Sequence, residues 1–274
     1  MIGFVFNAFL EGAAGFGVPI AICAVLLTQL GFKPLEAAMY CLVGNAAAGA
    51  YGAVGIPVAI VDTLNLSGDV SATEVALIGN LTLGFISFFV PFLLIFMIDG
   101  LKGIKETLPS ILVVSVTYTL LQVIMTSFAG PELADIIPGL AAMVALALFS
   151  SKFQPQNIFR LQKDEEPKHV TKHSFQKIVY AWSPFIILTV IVLIWSSSFF
   201  KGLFEKNGLL NAFVVKFNVP GTMNDVTHTP NVLTFNFIAQ TGTAILITAI
   251  LTIIIANNMN FKIAGKLLGL TVKE

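Results

Sequence analysis

Seven apolar blocks govern what this chain can become. They run over residues 2–32, 34–61, 76–98, 109–127, 132–149, 178–199 and 232–256, with polar connections between them. A helical membrane crossing takes about 20 mostly apolar residues. In lipid, a helix satisfies its own backbone hydrogen bonds within one segment. The alternating pattern of a membrane β-barrel is absent. Composition agrees: 56% of the residues are hydrophobic and 11% are charged, against about 25% charged in soluble domains. The expected fold is all-α, a polytopic helical membrane protein.

The first two blocks differ from the other five. Block one contains "FLEGAAGFGVP", with a carboxylate, three glycines and a proline inside an apolar run. Its apolar arms, 2–10 and 18–30, reach only about 14 and 20 Å at 1.5 Å per residue. Neither alone crosses a hydrocarbon core about 30 Å thick. The block is therefore either one interrupted helix or a re-entrant hairpin. Block two carries Gly44, Asn45, Gly49, Gly52, Gly55 and Pro57. Glycine costs roughly 1 kcal/mol in a helix interior and proline about 3, so this span should unwind in its middle. Unwound backbone at membrane depth is tolerated only against protein or in a wet cavity. Two neighbouring interrupted segments are the sequence pointer to a transport site. Helix packing through small residues is the plainer alternative.

The chemistry of such breaks suits an anion. An unwound helix exposes amide N–H groups and a partial positive charge at each new N-terminus. The single arginine, Arg160, is in a polar connection, and no lysine lies deep in a block. An anionic solute would rely on backbone amides around Gly12, Gly15, Gly17 and Gly52, with Asn45 and the Tyr51 hydroxyl nearby. Glu11 reads as the one acid set deep in an apolar block; Glu36, Asp62 and Asp99 stand near block ends. Intramembrane carboxylates often relay protons. Glu11 either serves that coupling role or accepts hydrogen bonds from its own turn.

Basic residues set the expected orientation. With 152–177 in the cytoplasm, twelve of the fifteen basic residues fall inside, and only Lys201, Lys206 and Lys216 outside. That is the positive-inside pattern. The expected organisation is a broken-helix segment 1–61, transmembrane helices over 62–151, a cytoplasmic loop 152–177, and transmembrane helices over 178–256 with an external loop 200–231. A tail, 257–274, lies along the inner surface as an amphipathic helix or leads into another span. Trp182 and Trp195 are about 20 Å apart on one helix, a spacing suited to interfacial anchors.

Other signals are weak. Net charge is zero, which suggests no nucleic-acid partner. Cys23 and Cys41 read as buried free thiols. The N-terminal stretch lacks the basic region of a signal peptide. His169 and His173 are four apart, but Val170 stands where a metalloprotease helix needs glutamate, and His228 is isolated. Asn65 matches a glycosylation pattern by chance. No cofactor or metal is expected. Asn80, Asn236 and Gln240 are expected to form hydrogen bonds between helices.

Over these residues the chain resembles the L-lactate permease family. The stretches that carry the resemblance are "GFVFNAFLEGAAGFGVPIAI", "LGFKPLEAA", "GAVGIP", "MIDGLKGIKETLP", "GPELADII" and "TGTAIL". They run in order along essentially the whole chain. The resemblance implies a bacterial inner-membrane symporter that imports lactate, often also glycolate, with protons. It implies an inverted-repeat fold whose site lies between re-entrant hairpins and broken helices. Glu11, Gly12, Gly15, Gly17 and Pro19 match the family's glycine-rich motif, and Asn45, Gly52, Gly55 and Pro57 match its second. Asn45-Ala46-Ala47-Ala48 departs from the family's usual Asn-Thr-Ala-Pro. Family members are longer, so the chain is expected to be a partial member. The alternatives are a non-transporting remnant, a subunit of a membrane complex or, with no cluster of reactive side chains to support it, a membrane enzyme. The lipid bilayer is a partner on any of these readings, and homo-oligomerisation is left open.

Overall fold

The computed structural model describes residues 1–15, 17–63, 70–153, 155, 159, 161, 174–204, 207–223, 230–255, 260–271 and 273. His169, His173, His228, Asn65 and Arg160, discussed above, lie outside the described residues. The chain divides into two compact units, Met1–His169 and Val170–Glu274.

The first unit begins with a π-helical turn, Ile2–Phe6, that runs into α1, Asn7–Ala13. The chain then breaks and resumes as α2, Val18–Gln29. The opening turn packs against α2, and Met1, Leu27 and Leu30 share one cleft. Block one is therefore a hairpin that doubles back on itself. Each arm is 12 residues, about 18 Å at helical rise. A tight turn, with Phe32 edge-on to Tyr40, leads to α3, Pro34–Asn45. α3 returns along α2, with Cys23 and Cys41 facing each other as buried free thiols. Block two does unwind: after α3 the helix is lost, then resumes in the short α4, Ile56–Ala59.

The opening turn and α3 meet at unusually close range. A Cβ placed on Gly44 would stand 1.7 Å from the Gly3 carbonyl oxygen. Small residues that let helix backbones touch are the usual glue of membrane helices.

The helix α5 covers Ala72–Phe128, 57 residues. Its start is fixed locally. Ser71 Oγ accepts from the Glu74 amide, Glu74 Oε2 accepts from the Ser71 amide, and Asp62 Oδ1 accepts from the Ala72 amide at 2.6 Å. This is a capping box with an added carboxylate. The helix breaks at Asp99 and Gly100, which leave helical geometry, and folds into two antiparallel arms, each about 40 Å long. The expected loop between blocks three and four is thus only this kink; residues 101–108 are helical. Polar rungs join the arms: Asn80 Nδ2 donates to Thr126 Oγ1, and Ser87 Oγ donates to Gln122 Oε1 at 3.0 Å. Asn80 therefore does bond between helical arms. Leu81, Phe85 and Phe89, four residues apart, point outward, the face suited to lipid. A 3₁₀ turn, Pro131–Leu133, leads to α6, Ile136–Ser150, which packs on α5 and α1.

In the second unit, α7, Phe175–Ser196, packs on α9, Thr241–Ile255. Leu188, Val192, Ala244 and Thr248 are buried there. A short α8, Ser198–Gly202, follows α7. Trp195 donates its indole N–H to the Ile238 carbonyl at 2.9 Å, which anchors the entry to α9. Block seven was expected to be helical from 232. Instead its first residues form the strand β2, Pro230–Phe235, paired antiparallel with β1, Val215–Met223, in the register Val215↔Phe235 and Phe217↔Leu233. Phe217 and Phe235 meet at a tilt across this ribbon; aromatic and β-branched residues at 213–217 and 232–235 favour strand over helix. Asn236 caps a local turn to Ala239 rather than bonding another helix. The tail forms α10, Phe261–Thr271; over residues 261–270 its side chains are exposed except Ala264, which is half-buried.

Among the described residues, three helical stretches are long and apolar enough to cross a membrane: Ala72–Phe128, Pro131–Ser150 and Phe175–Trp195. The architecture is that of a polytopic helical membrane protein with broken helices, and the β1–β2 ribbon is its one sheet among those residues.

Gly44→Ala is expected to destabilise the protein in detergent by at least about 2 kcal/mol, because the added methyl group must displace the Gly3 backbone. Gly265→Ala on α10, where a Cβ meets nothing within 4 Å, should be neutral or stabilising by up to about 1 kcal/mol. Thermal unfolding of the two variants side by side checks the contrast.

Candidate functional site

Three interruptions meet at one place in the first unit. The first follows α1, the second follows α3, and the third is the Pro131–Asp135 turn before α6. Backbone contact holds them together. Gly15 (φ +58°) would put a Cβ 2.7 Å from that of Ala53, and Gly55 (φ +65°) would put one 2.4 Å from the Pro131 carbonyl. Both need a left-handed backbone and both lack room for any side chain. Val54, between Gly52 and Gly55, is also left-handed at φ 49°. A β-branched residue pays roughly 1–2 kcal/mol for this geometry, so the packing around the second break over-determines it.

Glu11 lies on α1, one residue before Gly12, and is 6% exposed. Its carboxyl interacts with the Asn45 side chain from the end of α3, while Oε2 has no partner. A Cβ on Gly12 would lie 2.9 Å from Asp135 Cβ, so α1 and the start of α6 touch at this point. Tyr51 is buried. Its hydroxyl stands 2.8 Å from Asn80 Oδ1 and 3.1 Å from the Ala76 carbonyl, turned toward α5. Gly52 (φ +58°) would put a Cβ against Pro57, and Gly17, exposed, is the N-cap of α2, where an added Cβ would meet nothing within 4 Å. Glu11, Gly12, Gly15 and Asn45 are thus brought together. Tyr51 adjoins them through the polar chain on α5, and Gly17 and Gly52 stand at the rims of the two breaks.

The break amides are less available than the sequence suggests. Turn hydrogen bonds take up those of Ala14, Gly15, Val18, Ala48, Gly49, Tyr51, Gly52 and Gly55. The chain satisfies most of its own polar backbone even where helix is lost, as buried backbone must.

Sequence reasoning named Glu11 as the one deep acid, and the structure corrects this. Asp135 is 1% exposed. It is the N-cap residue of α6, yet its side chain makes no capping bond. Tyr118 donates its hydroxyl to Asp135 Oδ1 at 2.7 Å, and Gln122 Nε2 donates to the same oxygen at 3.0 Å. Oδ2 has no partner. From here a buried polar chain runs along α5 through Gln122, Ser87, Thr126, Asn80 and Tyr51. In the sequence Asp135 shows only as an acid in "ELADIIPGL", near the start of an apolar block. Asn7 was missed as well. It lies one turn before Glu11, is fully buried, donates to the Cys41 carbonyl at 2.7 Å and leaves Oδ1 unpartnered.

Among the described residues, no lysine is buried beside these acids; every one is exposed. Among the described residues, no three His, Cys, Asp or Glu side chains gather as a metal site would require. A cleft of about 420 Å³ between the opening turn, α2 and α5 is lined mostly by apolar residues such as Leu27, Leu94 and Ile111, with Tyr40, Thr107, Ser110 and Ser150 as its polar members.

Comparison with known proteins agrees with the geometry. The family model for L-lactate permease matches residues 1–274. An L-lactate permease of Halalkalibacterium halodurans is 53% identical over 92% of this chain and 47% of its own length. The L-lactate permease of Escherichia coli K12 is 39% identical over 93% of this chain and 48% of its own length. The glycolate permease GlcA of the same strain is 39% identical over 93% of this chain and 49% of its own length. These relatives are named as permeases rather than enzymes, and the chain spans about half their length. No solved structure matches. A match along the whole chain, together with broken helices that meet at a buried polar junction, makes this chain a member of the L-lactate permease family.

Proposed function

We propose that the protein carries small 2-hydroxy monocarboxylates, lactate and glycolate, across the bacterial inner membrane together with protons. The observation that supports this best is electrostatic. The junction of the three breaks contains buried carboxyl groups, and every described lysine is exposed. A carboxylate solute entering such a site meets negative charge in apolar surroundings, where like charges repel strongly. It is accommodated when a proton enters as well. That condition is the essence of symport, because solute and proton are then bound together or not at all.

In this reading Glu11 carries the coupling proton. The solute carboxylate is received by first-turn amides of the helices that start at the breaks, α2 near Gly17 and α6 after Asp135. The solute hydroxyl is received by polar side chains such as Asn45. Gly12 and Gly15 keep the backbones close enough for these groups to converge, and Tyr51 and Gly52 shape the second break. In this reading the loop 152–177 faces the cytoplasm, the side that the distribution of basic residues favours.

In proteoliposomes, labelled lactate should accumulate under an inward proton gradient and only equilibrate without one. Glu11→Gln should reduce gradient-driven accumulation by about tenfold or more, within the usual range of coupling between sites. Accumulation that survives the substitution would remove Glu11 from the coupling role. Unlabelled glycolate should compete with the label.

For orientation, Lys152→Cys should react with an impermeant thiol reagent only from the cytoplasmic side, and Lys201→Cys only from the opposite side. Cys23 and Cys41, both buried, should give little background. Mass shifts after labelling intact cells and inverted vesicles read the result.

A further inference from the structure

The helix α10 has no part in the symport reading. Its start is encoded locally. Asn260 Oδ1 accepts from the Ile263 amide at 2.8 Å, and the Asn260 carbonyl accepts from the Ala264 amide at 3.0 Å. Asn260 is thus a side-chain N-cap, and 11 helical residues follow it.

At about 100° per residue, these residues sort into two faces. Phe261, Ile263, Ala264, Leu268 and Leu270 fall within one arc of about 180°. Lys262, Gly265, Lys266 and Gly269 fill the opposite side. Phe261, Ile263, Leu268 and Leu270 are between 42% and 66% exposed. Large apolar side chains gathered on one face, rather than scattered singly, mark an interaction surface.

What covers this face follows from where the chain puts it. Trp195, at the end of α7, holds the Ile238 carbonyl just before α9. The two helices pack along each other, so they run antiparallel. α9 has 15 residues, a rise of about 22 Å. It therefore ends about level with Trp182, which lies about 20 Å back along α7 from Trp195. That spacing suits anchors at the two membrane interfaces. Asn260 follows the last residue of α9, Ile255, after at most about 18 Å of chain. α10 is thus held within reach of the interface near Trp182 and near Lys177, which is exposed at the start of α7.

Charge agrees with this placement. Residues 257–273 contain Lys262, Lys266 and Lys273 and no Asp or Glu. A basic amphipathic helix beside a membrane crossing lies in the plane of the interface, and lysines there are drawn to anionic headgroups. Tethered to α9, α10 also meets the bilayer at high effective concentration, whereas a separate protein partner has to be captured from solution.

We propose that α10 is a surface anchor. It lies in the plane of the membrane, with Phe261, Ile263, Leu268 and Leu270 among the acyl chains and Lys262 and Lys266 on the phosphates of anionic phospholipids. The anchor fixes the level at which α9 leaves the bilayer. It involves no transported solute, so it stands or falls apart from the symport reading.

Spin labels on the intact protein test it. Leu268→Cys and Leu270→Cys report the apolar arc. Gly265→Cys and Gly269→Cys report the opposite side, where an added Cβ meets nothing within 4 Å. Cys23 and Cys41 are buried and give little background. Each variant is reconstituted in vesicles of phosphatidylcholine with phosphatidylglycerol. Collisions of the label with oxygen, which partitions into lipid, are compared with collisions with a water-soluble nickel chelate. The arc labels should favour oxygen and the labels at the glycine positions nickel. In phosphatidylcholine alone, or with Lys262→Gln and Lys266→Gln, the ratio of immersed to water-exposed arc label should fall by about fivefold per lysine. Both faces in water, both faces in lipid, or arc labels shielded from both reagents by protein overturns the anchor. In the last case, dipolar broadening between labels identifies a second copy as the cover. A ratio that neither the loss of phosphatidylglycerol nor the lysine substitutions change overturns the role of anionic lipid.

Discussion

Carboxyl groups buried with no described lysine beside them are the constraint around which the first unit is organised. Glu11 and Asp135 sit deep inside a chain whose described lysines are all on the surface. Burying an acid costs several kcal/mol unless it is neutral or well hydrogen-bonded. The fold meets that cost with polar groups rather than counter-ions. Tyr118, Gln122 and Asn45 supply donors, and the chain through Ser87, Thr126, Asn80 and Tyr51 satisfies the groups behind them. The arrangement works only because three backbones come within contact distance. Gly12, Gly15 and Gly55 each occupy a place where a methyl group would overlap its neighbour.

Much of this was legible in the amino-acid order. Glycine and proline clusters marked both broken helices, because their propensity cost is local and additive. The lengths of the arms of block one limited the choices to two, and tertiary packing of the opening turn on α2 decided in favour of a hairpin. The ribbon of β1 and β2 was hidden by hydropathy alone, since a short apolar run does not tell strand from helix without its partner. Asp135 was hidden for a different reason. An acid near the start of an apolar block reads as an interfacial residue when each block is treated as a separate rod. Its burial is a property of the junction, supplied by Gly12 from more than a hundred residues away. In the same way, the free amides inferred for the breaks were mostly recaptured by local turns, which pattern reading does not see.

The relation between break and site is also clearer. Lost helical winding does not by itself present a row of open donors here. It brings side chains from different segments to one point and lets helix ends face inward. What the breaks contribute is placement, and the charged chemistry then belongs to the few polar side chains that converge.

The rungs between the arms of α5 have a mechanical consequence. Asn80–Thr126 and Ser87–Gln122 pair residues at fixed heights, so sliding one arm along the other by a single residue would turn these side chains away from each other and leave them stranded in apolar surroundings. The hairpin is therefore locked in register and behaves as a post. Any rearrangement that preserves its rungs has to take place where the post meets the short helices, at the single oxygen of Asp135 that Tyr118 and Gln122 share.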